Sequence, residues 1–161
     1  MDYTGYASLN SQFKFSSGSG WDDGINYGYA GTEGKLTTDG SAGNIPVATP
    51  GLYFCKVNPL ELTYSLTEIT TIGVIGDATP QGWDGDTALE PSADKLIWQA
   101  VVTLGDGTFK FRANGDWDIN LGGDINDLTQ GGENIPSPGA GRYQITLDLS
   151  SLPYTCTLTA Q

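Results

Sequence analysis

The two halves of the chain repeat one another, and this internal repeat constrains the fold more than any other feature. A Phe-Lys-Phe segment followed by a Trp eight residues after its first Phe occurs at residues 13–21 and again at 109–117. An Asn-Ile-Pro segment followed by Gly-x-Tyr occurs at residues 44–53 and again at 134–143. The offset between the copies drifts only from 96 to 90 residues. A period near 90 is far longer than a solenoid repeat, so two tandem domains of one type are predicted.

Composition favours an all-β protein with a neutral partner. The 161 residues include 23 glycines and few charged residues, and Thr, Tyr, Val and Ile occur in short runs, as is usual for strands. A net charge of −12 opposes binding to nucleic acid, to anionic membranes and to acidic polymers such as pectin. No apolar run is long enough for membrane insertion. We therefore expect a neutral ligand.

The residue types that usually carry catalysis and metal binding are scarce. The chain has no histidine, which removes the commonest general base and most metal sites. Residues 116–127 resemble a calcium loop only superficially, because the required Gly is displaced by one position. We predict no catalysis, no cofactor and no metal site. Cys55 and Cys156 occupy apolar strand positions of different repeats and are expected to be buried free thiols.

The second repeat, residues 70–161, holds the complete set of predicted strands. Alternating patterns and turn signals predict strands at residues 71–76, 95–104, 108–112, 141–149 and 154–159, and no segment has sustained helical periodicity. Long polar loops are expected at 77–90 and 113–138. The first repeat, residues 1–69, lacks counterparts of about residues 71–95. The prediction is two antiparallel β-sandwich domains, the first incomplete at its N-terminus, with an exposed edge that leans on repeat 2 or a neighbouring chain.

Tryptophans occur in polar loops of this chain, where a packed core does not need them. Trp83 lies among turn-forming residues, and Trp117 lies between two aspartates and has a counterpart in Trp21. An indole plane packs well against the apolar face of a sugar ring and orders at low entropic cost. These side chains are predicted to form sugar-binding platforms; the alternative is that each folds back onto its own core. Trp98 lies in the middle of a strand and is expected in the core.

Polar side chains near these tryptophans supply hydrogen-bonding groups for sugar hydroxyls. Lys110 and Arg112 share one face of their strand, opposite the flanking phenylalanines; a merely solvated face is the alternative. Asparagines follow nearby, although a turn-capping role is also ordinary for them. The predicted site of repeat 2 comprises Trp83, Trp117, Lys110, Arg112, Asn134 and Asn114. A second, weaker site of repeat 1 is predicted from Trp21, Lys14, Tyr27 and Asn44.

Residues 72–161 resemble the C-terminal starch-binding modules of the SusE and SusF outer-membrane lipoproteins of Bacteroidetes. Five segments carry the likeness in order, at residues 76–84 (GDATPQGWD), 109–117 (FKFRANGDW), 120–123 (NLGG), 131–135 (GGENI) and 143–149 (YQITLDL). The resemblance implies immunoglobulin-like β-sandwiches that bind α-glucan without cleaving it. It also implies a location on the extracellular face of the outer membrane, with other components of a glycan-import complex as partners.

The resemblance supports glycan binding in general more strongly than it supports starch as the ligand. Relatives are encoded in gene clusters for the use of different polysaccharides. Repeat 1 follows the pattern loosely, since Ser16 replaces the equivalent of Arg112. Three functions therefore stay open. They are binding of α-glucan, binding of another neutral glycan such as xylan, and a structural role as a spacer or protein-docking module.

Overall fold

A computed structural model gives the structure of all residues from 1 to 161, and it contains strands and no helix. Every strand pair is antiparallel, so the prediction of an all-β antiparallel protein is confirmed. No helix long and apolar enough to cross a bilayer is present. The chain divides into two compact units, Met1–Glu68 and Ile69–Gln161, here called unit 1 and unit 2.

Unit 1 is built from three small sheets, with strand orders β1-β7-β8, β3-β4-β5 and β2-β6. Its core contains Tyr27, Leu36 and Ile45, against which Phe13 and Phe15 pack. The strands are β1 (Tyr3–Leu9), β2 (Gln12–Phe13), β3 (Phe15–Ser16), β4 (Asn26–Tyr29), β5 (Leu36–Thr37), β6 (Ile45–Pro46), β7 (Gly51–Asn58) and β8 (Thr63–Ile69).

Unit 2 contains a four-stranded sheet of order β11-β12-β17-β18 and a six-stranded sheet of order β10-β9-β13-β14-β15, in which β16 also pairs with β13. The strands are β9 (Ile72–Ile75), β10 (Thr87–Ala88), β11 (Glu90–Pro91), β12 (Ile97–Leu104), β13 (Thr108–Ala113), β14 (Asn120–Asp124), β15 (Asp127–Gln130), β16 (Ile135–Pro136), β17 (Gly141–Asp148) and β18 (Thr155–Ala160).

The core of unit 2 contains the alternate apolar residues of these strands, as the two-residue period requires. Ile145 and Leu147 of β17 are fully buried, and Trp98 of β12 is buried beside them in register with Leu147. The indole Nε1–H of Trp98 donates to the Lys95 carbonyl oxygen at 2.7 Å, which satisfies its one polar group. The prediction that Trp98 lies in the core is confirmed.

Both cysteines are free and buried, as the sequence predicts. Burial raises the pKa of the Cys55 thiol to about 11 and that of Cys156 to about 12. Because a thiolate is the reactive form of cysteine, both side chains behave in the folded protein as small apolar groups.

The prediction of a continuous polar loop over residues 113–138 is wrong. Strands β14 and β15 form a hairpin inside it, and β16 follows. Leu121 and Leu128 are the buried apolar side chains of the hairpin, and most of its other residues are polar or glycine. The turn is stabilised by Asp124, whose Oδ1 accepts from the Asn126 backbone N–H at 2.8 Å. The predicted loop at 77–90 likewise contains the short strand β10, which pairs with β9.

The two units share the same strand register around the repeated Phe-Lys-Phe segment. Phe13 pairs with Ile45 in unit 1, as Phe109 pairs with Ile135 in unit 2. The other edge of β13 pairs with β9, and no strand of unit 1 occupies the corresponding position. The phenylalanines of the first repeat are therefore only half-buried, whereas those of the second are fully buried.

Candidate functional site

Trp83 and Trp117 of unit 2 lie side by side and form what we call the tryptophan pair. Their ring centroids are 6.1 Å apart and their planes are inclined by 36°. The two residues are 43% and 46% exposed, so neither indole is enclosed by the core. The pair presents two adjacent apolar ring surfaces to solvent.

The loop that carries Trp83 is held by its own turns. The Gly76 backbone N–H donates to the Gly82 carbonyl at 3.1 Å, and the Gly82 N–H donates to the Thr79 carbonyl at 3.1 Å. The buried Thr79 hydroxyl donates to the Gly76 carbonyl at 2.8 Å. Gly82 has a φ of 59°, a left-handed conformation that glycine adopts without steric cost. These contacts fix the backbone immediately before Trp83.

The loop that carries Trp117 is tied to the β14–β15 hairpin. Asn120 Nδ2 donates to the Trp117 carbonyl at 2.8 Å, and Gln130 Nε2 donates to the Asp118 carbonyl at 2.7 Å. Within the loop, the Asp118 N–H donates to Asp116 Oδ1 at 2.9 Å. Sequence reasoning missed Asn120 and Gln130 as supports of the site, because the hairpin that places them was assigned as loop.

Arg112 connects the tryptophan pair to a carboxylate. Its guanidinium carbon lies 4.9 Å from the centroid of the Trp117 ring, within the range of a cation–π interaction. Its Nε donates to Asp86 Oδ1 at 2.9 Å, and its Nη2 donates to Asp86 Oδ2 at 3.0 Å. This two-point geometry is the strong form of the arginine–carboxylate pair.

Asp86 is a site residue that sequence reasoning missed. It ends the loop that carries Trp83, and nothing local distinguishes it from the other 18 acidic residues. Two strand pairings bring Asp86 to Arg112. Strand β13 pairs with β9, so that Arg112 lies opposite Gly73, and β10, which directly follows Asp86, pairs with the other edge of β9. A Cβ atom at Gly73 would lie 2.8 Å from the Asp86 Cβ, so the close approach of Asp86 requires glycine there.

Lys110 is buried, although its charge would favour a solvated position on the strand. It is only 9% exposed, and its Cε would lie 3.0 Å from a Cβ at Gly122, so its stem covers the bare backbone of that glycine. Burial lowers the pKa of Lys110, and the Glu133 carboxylate acts in the opposite direction. The aliphatic stem therefore packs within the unit, as is common for lysine.

The two asparagines occupy different settings. Asn114 is in the left-handed region, with a φ of 55°, and its Oδ1 accepts from the backbone N–H groups of Thr70 at 2.8 Å and Thr71 at 3.4 Å. Its side chain thus tethers the segment that precedes β9. Asn134 is exposed and directly precedes β16.

Unit 1 brings together only part of its predicted site. Trp21 is 67% exposed, Lys14 Nζ lies 5.9 Å from its ring centroid, and Asn26 Nδ2 donates to its carbonyl at 2.8 Å. Asn44 is exposed and precedes β6. Tyr27 was predicted as a ligand contact but is a core residue, paired across the strands with Phe15. Its aromatic ring is used for packing.

No group of three or more His, Cys, Asp or Glu side chains comes together in a geometry suited to a metal ion. The site that the structure does assemble is an exposed aromatic pair with one arginine–carboxylate pair beside it, carried on an all-β sandwich.

Comparisons with known proteins give a likeness at the level of structure. No protein-family model matches the chain, and no curated protein matches it. Among solved structures, the chain is similar to SusF from Bacteroides thetaiotaomicron, with 16% sequence identity and a TM-score of 0.46. The alignment covers 99% of this chain and 42% of that one, so the chain spans less than half the length of SusF. The function is therefore argued from the site itself.

Proposed function

We propose that the protein binds a neutral polysaccharide, without cleaving it, through the tryptophan pair of unit 2. The observation that carries this proposal is that two indoles, each more than two-fifths exposed, lie 6.1 Å apart in loops fixed by hydrogen bonds. Two exposed indoles have a free-energy cost in water unless a partner covers them. Sugar rings are suitable partners because their C–H faces are apolar and flat.

The inclination of the two rings favours a curved glycan. Their planes differ by 36°, so consecutive sugar rings that pack on them are turned relative to one another. An α-glucan chain curves in this way, whereas a flat, ribbon-like β-linked chain prefers coplanar platforms. The proposed ligand is accordingly an α-glucan such as starch or a malto-oligosaccharide.

Charged groups beside the pair are suited to sugar hydroxyls. The Nη1 group of Arg112 is not used in the contact with Asp86, and hydrogen bonds from a charged donor contribute about 1.5–3 kcal/mol each. Asn134 and the ammonium group of Lys110 are further proposed contacts, with Asn114 as a more distant one. The net charge of −12 is consistent with an uncharged ligand.

Unit 1 is proposed to bind more weakly or to act as a spacer. It offers Trp21 and Lys14 without a second tryptophan, so a sugar chain would gain one apolar platform instead of two. The proposed setting of the protein is the outer surface of a bacterial cell, next to other components of a glycan-import complex.

Native gel retardation with a panel of polysaccharides tests the proposal. The wild-type protein is run in gels that contain amylopectin, xylan, xyloglucan, mannan or pectin. We expect retardation by amylopectin and none by pectin. Retardation by a β-linked glycan alone would retain glycan binding and overturn the α-glucan assignment. Unchanged mobility in every gel would contradict glycan binding and favour the spacer or docking role.

A further inference from the structure

We propose that Asp86 is a positioning residue that sets the class of ligand: it holds Arg112 beside Trp117 and compensates its charge, so that the site accepts neutral glycans and rejects acidic ones. This inference rests on the proposed function, because it concerns the selectivity of the same site. It assigns to Asp86 a role in recognition without direct contact to the sugar.

The contact between Asp86 and Arg112 is shielded from solvent. The side chains are 22% and 12% exposed, respectively, so the pair is far less screened than a surface ion pair, which contributes little. Two of the three guanidinium nitrogens are engaged by the carboxylate. The guanidinium therefore has a fixed direction, and the Nη1 group is left for a ligand hydroxyl.

Asp86 is itself held in place by the loop that carries Trp83. Gln81 Nε2 donates to the Asp86 carbonyl oxygen at 2.8 Å. The bare backbone of Gly73 lets Asp86 approach β13 from the neighbouring strand. Asp86 thus links both tryptophan loops. Its carboxylate holds Arg112, which contacts Trp117, and its backbone carbonyl is bound by Gln81 of the Trp83 loop.

Charge compensation explains the selectivity. An arginine without a partner next to an aromatic ring would attract the carboxylate of an acidic sugar by a two-point hydrogen bond. Here Asp86 already occupies that position, and its own charge repels a second carboxylate. The other cation of the site, Lys110, is within the electrostatic reach of Glu133.

The variant Asp86→Asn tests this role, with Asp84→Asn as the matched control. Asp84 lies two residues earlier in the same loop, is exposed, and has no side-chain hydrogen bond or ion pair, so its replacement removes the same charge without touching Arg112. The expected result for Asp86→Asn is about tenfold weaker retention by amylopectin. We also expect new retention by polygalacturonate that disappears at high salt. Identical behaviour of the two variants would overturn the proposal.

The arginine side-chain NMR signals give a readout that does not depend on any glycan. The chain has only two arginines, Arg112 and the exposed Arg142. Exchange of the Arg112 Nε–H with water is expected to be at least tenfold slower than that of Arg142 in the wild type, and to be faster in Asp86→Asn than in the wild type, because an amide oxygen accepts a weaker hydrogen bond than a carboxylate. Equal exchange rates in the wild type would show that Asp86 does not hold Arg112.

The two sets of results separate the two proposals. If the wild type binds no neutral glycan, the proposed function is refuted. The selectivity assigned to Asp86 is then refuted as well, even if the exchange data support the contact between Asp86 and Arg112. If the wild type binds amylopectin and Asp86→Asn retains this preference, only the role of Asp86 is refuted. Thermal unfolding of each variant confirms that it is folded before binding is compared.

Discussion

Asn114 illustrates how a single loop residue stabilises the frame of the site. Its side-chain oxygen accepts two backbone N–H groups ahead of β9, and its own backbone is left-handed. Asn114→Ala is expected to lower the free energy of unfolding by about 1–3 kcal/mol, because the backbone N–H groups of Thr70 and Thr71 lose their acceptor and because alanine is strained in the left-handed region. Urea unfolding followed by circular dichroism measures this loss.

The variant Asn114→Gly separates the two causes of that loss. Glycine removes the same side chain but adopts the left-handed conformation freely, whereas alanine adds roughly 1 kcal/mol of backbone strain. The glycine variant should therefore be the more stable of the two. Equal stability of alanine, glycine and wild type would contradict a structural role for this side chain.

Residue types and local context predicted only part of the site. Trp83 and Trp117 stand out in the sequence because their neighbours are turn formers with no apolar period. Asp86 does not stand out, since its role depends on strand pairing between distant segments. Tyr27 was predicted to contact a ligand because tyrosine is common both in cores and at binding sites. Only the pairing of Tyr27 with Phe15 across the strands places it in the core.

At the scale of strands, Gly73 of β9 controls how closely the Trp83 loop approaches β13. A Cβ atom there would lie 2.8 Å from the Asp86 Cβ and 2.9 Å from the Thr87 carbonyl oxygen. Gly73→Ala is expected to displace this loop, to cost about 1–3 kcal/mol of stability and to weaken glycan binding by separating Asp86 from Arg112. Thermal melting and native gel retardation measure the two effects.

Gly105→Ala is the matched control in the same unit. The nearest atom to a Cβ at Gly105 is the Ala78 carbonyl oxygen, at 4.0 Å, so the methyl group is accommodated without displacement. We expect this variant to bind and melt like the wild type. If Gly73→Ala did the same, the close packing of the loop on β9 would not be needed for the site.

Strand prediction succeeded where one face of a strand is apolar and failed where few residues face the core. The alternation in β12 and β17 is clear because the buried residues of each strand, such as Val102 and Leu104 or Ile145 and Leu147, are two positions apart. The β14–β15 hairpin buries only a few apolar residues and reads as a polar loop. Its contribution to the site, through Asn120 and Gln130, was hidden for the same reason.

At the scale of the whole molecule, the internal repeat predicted two similar units, and the departures of repeat 1 from the shared pattern predicted a weaker site there. Both units place a tryptophan after the Phe-Lys-Phe segment and hold its carbonyl with an asparagine side chain, Asn26 in unit 1 and Asn120 in unit 2. Only unit 2 adds a second tryptophan and an arginine. We therefore propose that unit 2 binds the glycan more strongly than unit 1 does.

The most direct test of the account is affinity electrophoresis in amylopectin gels of the double variant Trp83→Ala/Trp117→Ala. The control is Trp21→Ala, which removes an exposed tryptophan from unit 1. We expect the double variant to stay folded and to lose binding by about a hundredfold or more, because each aromatic side chain that the ligand covers contributes about 2 kcal/mol or more. The control should keep most of its affinity. Full retention of binding by the folded double variant would contradict the assignment of glycan binding to the tryptophan pair.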